Sequence, residues 1–160
     1  MPVISGGRVV QPGSVLQQEV VLTEASANSG SGTYSGSVTV PAGSYLVDVI
    51  IHGVAVWNSA SAVTGKVGDA VDDDGIFTGI DLKATDLLAA EGLAASGVAG
   101  SAGGKAGADL ANSQWNRRWL ATERVITFAA VMAGASGTTG VTRMVVIYTD
   151  PASATAGTFA

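Results

Sequence analysis

A period of two governs residues 45–52, and it constrains the fold of this chain more than any other feature. Tyr45, Val47, Val49 and Ile51 fall on one side of an extended segment, and Leu46, Asp48, Ile50 and His52 on the other. The first set is apolar and the second mixed, which predicts a strand with one face in a core and the other partly covered. Residues 54–57 continue the pattern past a bulge at Gly53. Residues 62–67 and 76–82 predict two further strands, joined through the acid-rich turn GDAVDDDG. No catalytic set accompanies this apolar sheet.

The same reasoning extends along the chain. Residues 18–24 and 34–40 predict strands separated by a Ser/Gly-rich loop, and Pro41-Ala42-Gly43 predicts the turn that ends the second. Residues 124–132 and 141–149 are strand candidates linked by the hairpin-like AGASGTTG. Thr85 is placed to cap a helical turn over residues 86–90, with an irregular segment as the alternative. Short strands with Gly-rich turns predict an all-β fold, a sandwich or barrel.

One domain is expected over residues 17–150. Before it, Pro2, Gly6, Gly7, Pro12 and Gly13 punctuate residues 1–16, which read as an extended arm with a reach of about 50 Å. After it, residues 151–160 read as a flexible tail. Residues 94–113 are nearly all Ala, Gly and Ser, with Lys105 and Asp109 as the only charges. Such a run is too poor in side chains to feed a core and predicts a long loop, functional or interfacial.

Composition then narrows the function. Charged residues make up 13% of the 160-residue chain, about half the usual share. A free monomer with so few charges would have a surface prone to association, so partner subunits are expected to cover part of it. A net charge of −5 repels phosphates, which excludes nucleic acid as the expected partner. The chain has no cysteine, which removes disulfides and thiolate metal sites and suits assembly in a reducing cytoplasm. MPVISGGRVVQPG has no basic leader followed by an apolar run, so a secretory signal is not expected. The longest apolar stretch, residues 47–57, is broken by Asp48, His52 and Gly53 and is too short to span a bilayer.

Each candidate site has a plainer reading. His52 is the sole histidine, and Asp48 on the same face stands about 13 Å away along a strand. That is beyond hydrogen-bond reach, so His52 reads as a partly buried strand residue rather than a general base. One histidine without cysteine also makes a transition-metal site unexpected. Asp69, Asp72, Asp73, Asp74 and Gly75 resemble a calcium loop, because Ca²⁺ takes roughly six to eight oxygen ligands. Three of these aspartates are consecutive, however, and the twelfth position counted from Asp72 is Lys83 where a Glu is required. A solvated turn is the plainer reading. The 13 acidic residues offer many pairs for glycoside hydrolysis, but such sites lie in aromatic-lined clefts and aromatics are only 6% of the chain. Gly97, Gly100, Gly103 and Gly104 lack the strand, helix and Lys-Ser/Thr ending of a phosphate loop. The segment Gln114-Trp115-Asn116-Arg117-Arg118-Trp119 is the one basic-aromatic cluster. Trp115, Arg117 and Trp119 are candidates for a subunit contact. The alternatives are Trp rings closing one end of the core and stacking on nucleic acid. No catalytic, cofactor-binding or metal-binding residue is assigned, and no cofactor is expected.

The block YLVDVIIHGVAVWNSASAVTGKVGDAVDDDGIFTGIDLKATDLLAAEG, with TRMVVIYTD near the end, resembles small structural proteins of tailed bacteriophages. Among these it is most similar to capsid decoration (cement, head auxiliary) proteins, over roughly residues 35–150. That resemblance implies a jelly-roll-like β-sandwich, a homotrimer seated on a lattice of major capsid protein, and no enzymatic chemistry. It implies residence on the capsid exterior of the virion, after assembly in the host cytoplasm, with no membrane partner. A tail or head-fibre component and a carbohydrate-binding sandwich, with Trp57 or Trp115 beside Trp119 as an aromatic platform, are the alternatives.

Overall fold

The computed structural model describes residues 15–24, 32–59, 62–88, 92–97, 109–110, 115, 117–134 and 137–149. Among them are nine strands: β1 (Val15–Thr23), β2 (Gly32–Val40), β3 (Leu46–Ala55), β4 (Val63–Gly68), β5 (Phe77–Asp81), β6 (Leu93–Ala94), β7 (Asp109–Leu110), β8 (Arg124–Met132) and β9 (Val141–Thr149). They form two antiparallel sheets, in the orders β1-β9-β3-β6 and β2-β8-β4-β5-β7. Of the sandwich or barrel left open by the spacing, the all-β sandwich is observed.

The pairings are nested. β1 pairs with β9, β2 with β8, β3 with β6 and β4 with β5, as in one long hairpin. That hairpin is folded over so that β9 also joins β3 and β8 also joins β4. The two-residue β7 is added to the second sheet beyond β5.

The core lies between the sheets and follows the period of two. In β9, Thr142, Met144, Val146 and Tyr148 are buried while the intervening residues are half-buried. β8 contributes Ile126, Phe128, Ala130 and Met132 from the facing sheet. Each large apolar side chain removed from water in this way stabilises the fold by about 1.5–3 kcal/mol. The turn after β2 forms as its residues dictate. Ser44 N–H donates to the Pro41 carbonyl at 3.3 Å, and Gly43 occupies the left-handed position (φ 83°) that side-chain-bearing residues rarely adopt.

Several expectations shift. β3 carries two irregularities, between Leu46 and Asp48 and between Gly53 and Ala55. The second is the expected bulge. The first inserts Val47 as an extra residue and reverses the alternation before it, so Leu46 is buried and Tyr45 is exposed. Val49 and Ile51 face the core as expected. Val15 and Leu16 belong to β1 rather than to the arm, which leaves residues 1–14 of the arm, and the tail, outside the described residues. The turn near Thr85 is a 3-10 turn, Thr85–Leu87, preceded by Ala84 without a side-chain cap. Much of the 94–113 loop lies outside the described residues, but Ala95 and Leu110 are buried, so that run does supply core side chains. No helix among the described residues is long and apolar enough to cross a membrane.

Candidate functional site

Two polar clusters brace the sandwich at points the spacing did not reveal. At the end of β1 the Glu24 carboxylate is fully buried. Its oxygens accept hydrogen bonds from the N–H groups of Asn58 (2.9 Å), Ser59 (2.8 Å), Gly137 (3.0 Å) and Gly140 (2.9 Å). One side chain thus ties β1 to the segment after β3 and to the β8–β9 connection. Trp57 closes the same corner, donating from Nε1 to Thr142 Oγ1 at 2.9 Å. Gly140 has no side chain because a Cβ there would stand 2.4 Å from the Trp57 ring.

The second cluster anchors the acidic turn. Asp69 accepts from the Val71 N–H (2.9 Å) through Oδ1 and from Arg124 Nε (2.6 Å) through Oδ2, with both partners of the ion pair buried. Arg124 also donates to the Arg117 carbonyl at 3.1 Å, joining the turn to the segment before β8. In the rest of the turn, Asp73 pairs with Lys66 and Asp74 accepts from Thr78 Oγ1 at 3.1 Å. The carboxylates of Asp72, Asp73 and Asp74 come within 4.8 Å of one another, and those of Asp73 and Asp74 are engaged by Lys66 and Thr78. Asp69, the first acid of the turn, is an internal strut rather than a solvated residue.

These carboxylates make stability acid-sensitive. Burial alone would raise both groups. The four N–H donors at Glu24, and the Val71 N–H with the Arg124 guanidinium at Asp69, outweigh it and hold both below the usual carboxylate range. Folded values below the unfolded ones, about 3.9 for Asp and 4.3 for Glu, stabilise the fold above roughly pH 5. That stabilisation is lost as pH falls through the folded values. Thermal melts are therefore expected to give a flat Tm from pH 7 to 5 and a steep fall below pH 4, and a Tm unchanged down to pH 3 would contradict this.

The basic-aromatic segment divides. Trp115 is buried, at 7% exposure, and is therefore a core residue, which corrects its candidacy as a subunit contact. The Arg118 guanidinium lies 4.7 Å from the Trp115 ring centroid and 5.0 Å from that of Tyr45, and it donates to the Leu46 and Val47 carbonyls at the β3 bulge. Arg118, passed over in the sequence, is a clamp on that bulge. Trp119 is 66% exposed and Arg117 is exposed. Tyr45 and Trp119 face each other in an isolated antiparallel bridge. Its bonds run from Leu46 N–H to Arg118 O and from Leu120 N–H to Ser44 O, which sets the two aromatic side chains close together on one face. Trp119, Val71 and Val125, all exposed, line a cleft of about 330 Å³ with Arg117, over the Asp69–Arg124 pair.

The other candidates resolve simply. Asp48 accepts from the N–H of Ser96 at 3.1 Å and from its hydroxyl, and His52 Nδ1 accepts from Arg143 Nε at 3.1 Å. The two do not pair with each other, as their spacing implied. Trp57 is buried and cannot serve a sugar-binding platform.

Its fold is shared with chains of two phage capsids. The first match is the "Cyanophage Pam1 capsid asymmetric unit", with a TM-score of 0.53, 16% identity, and coverage of 92% of this chain and 93% of that one. The second is the "Acidic stable capsid structure of Helicobacter pylori bacteriophage KHP30", with a TM-score of 0.53, 18% identity and coverage of 88% and 91%. Such mutual coverage means that the matched chains are close to this one in length. No family model matches the chain, and no curated protein matches it.

Proposed function

We propose that the chain is a structural protein of a phage virion that binds the outer surface of the assembled capsid and stabilises it by bridging neighbouring units of the major capsid protein. The observation that carries this reading is the fold, held in common over about nine-tenths of the length with chains of similar size in two phage capsids. The low charge of the chain and the exposed Val71, Trp119 and Val125 support a surface completed by other proteins.

The protein acts by binding rather than by chemistry, as a homotrimer. Three modest contacts made together hold far more tightly than one, and a ligand that binds only the assembled lattice stabilises that lattice. Trp119 and Arg117 form the subunit contact. Trp119→Ala is expected to weaken the trimer by about 2 kcal/mol, roughly 30-fold in dissociation constant, while leaving the Tm of the subunit near that of the parent. Light scattering across a dilution series reads the first and thermal melting the second.

Purified protein mixed with capsids that lack it is expected to bind saturably and to raise the temperature at which they burst. Absence of binding would falsify the proposal. The exposed Tyr45–Trp119 pair gives a carbohydrate-binding sandwich a specific footing as the second reading, and saturable binding to a glycan array would promote it.

A further inference from the structure

Both sheets end on nine-residue strands at the same side of the sandwich, β1 and β2, and the two edges differ in character. The solvent side of β2 carries Thr33, Ser35, Ser37 and Thr39. β1 carries the exposed Val15 (62%), Leu16 (40%) and Val21 (47%), and Glu19 is its only charge. Its register with β9 runs unbroken from Val15↔Thr149 to Thr23↔Val141, so no bulge blunts it. Long, regular, apolar edges are templates for another strand, and proteins ordinarily interrupt them with charge, proline or a bulge.

The hydrogen-bonding phase of β1 is fixed. Glu24 N–H donates to the Gly140 carbonyl at 2.7 Å, one step beyond the Thr23↔Val141 pair. Even-numbered residues therefore turn their N–H and C=O toward β9, and Val15, Gln17, Glu19 and Val21 turn theirs outward. Among the described residues no partner takes those outward groups.

We infer that this edge pairs antiparallel with β1 of a second copy about a two-fold axis through Gln18. Side chains directly opposite must share a face, which restricts the axis to passing through a residue pair of equal parity. With the axis at Gln18, Val15 meets Val21, Leu16 meets Val20, and Gln17 meets Glu19 as an amide–carboxylate pair. The outward-facing residues then supply the hydrogen-bonded pairs, and Gln18 faces Gln18 as a non-hydrogen-bonded pair. With the axis at Glu19, two carboxylates face each other. Placing it at Gln17 or Val20 sets a valine against Glu19. Of these four registers only the one at Gln18 pairs apolar with apolar and leaves no like charges opposed, and an axis further along at Val21 would overlap only residues 19–23. The interface is isologous, merges the two β1-bearing sheets into one, and uses no residue of the Trp119 cleft.

The chain has no cysteine, so single-cysteine variants test the register directly. In a non-hydrogen-bonded pair the Cα atoms stand about 4.5 Å apart, within disulfide range. Mild oxidation of Gln18→Cys is expected to convert most of the free protein to a covalent dimer on non-reducing gels, while Ser35→Cys on the β2 edge stays monomeric. In the cysteine-free chain carrying Trp119→Ala, which removes the proposed trimer contact, adding Val21→Lys is expected to weaken the remaining self-association at least 10-fold by sedimentation with an unchanged melting profile. Gln18→Cys crosslinking no faster than Ser35→Cys, or Val21→Lys associating like its Trp119→Ala parent, would overturn the inference. Both readouts use free protein, so they succeed or fail separately from capsid binding.

Discussion

Glu24→Ala is expected to destabilise the fold by about 4 kcal/mol, with a fall in Tm on the order of 10 °C. The change strips the acceptor from the N–H groups of Asn58, Ser59, Gly137 and Gly140 at once. Leaving a buried donor unmade costs roughly 1 kcal/mol or more each. The loss is not a packing effect, and Glu24→Gln separates the two. Glutamine keeps the shape but removes the charge and turns an NH₂ toward an N–H, so it is expected to lose about half as much. Urea melts of both variants measure this, and a Glu24→Gln protein within about 0.5 kcal/mol of the parent would refute the role given to the carboxylate.

Arg124→Met has the second large expected effect, about 3–5 kcal/mol, because it leaves the buried Asp69 carboxylate without its cation. The companion Asp69→Asn/Arg124→Met double variant removes the stranded charge while the Asn side-chain oxygen still accepts from the Val71 N–H. It is expected to be more stable than Arg124→Met alone. A double variant that falls by the sum of the single losses would show the two residues to be independent. Because Arg124 also holds the Arg117 carbonyl, Arg124→Met is expected to loosen the Trp119 cleft and weaken self-association.

The β-sandwich was legible because its strands obey a local rule. β8 and β9 could be bounded to the residue from alternation and Gly-rich flanks, since each strand pairs with long neighbours that impose no irregularity on it. Residues 45–52 misled on one point. The bulge at Val47 depends on Arg118 holding two β3 carbonyls from a distant segment, and no window of local sequence contains that contact. Glu24 and Asp69 were hidden for the same reason. A glutamate at the end of a strand attracted no reading of its own and an aspartate in a DG-rich turn read as solvated, because the burial of both is set by donors far along the chain. In the cluster at residues 114–119 residue type was informative but orientation was not, so Trp115 and Trp119 looked alike although one is buried and the other projects. The self-complementary pattern of β1 was written in residues 15–21, but it acquires meaning only once β9 fixes which groups face outward.

A virion role is tested most directly by a cryo-EM map of phage particles assembled in cells that make this chain. It predicts sandwich-shaped density outside the shell, seated over junctions between major capsid subunits at a regular site on the lattice. Density for the chain inside the shell or confined to the tail, or a particle lacking it altogether, would contradict it.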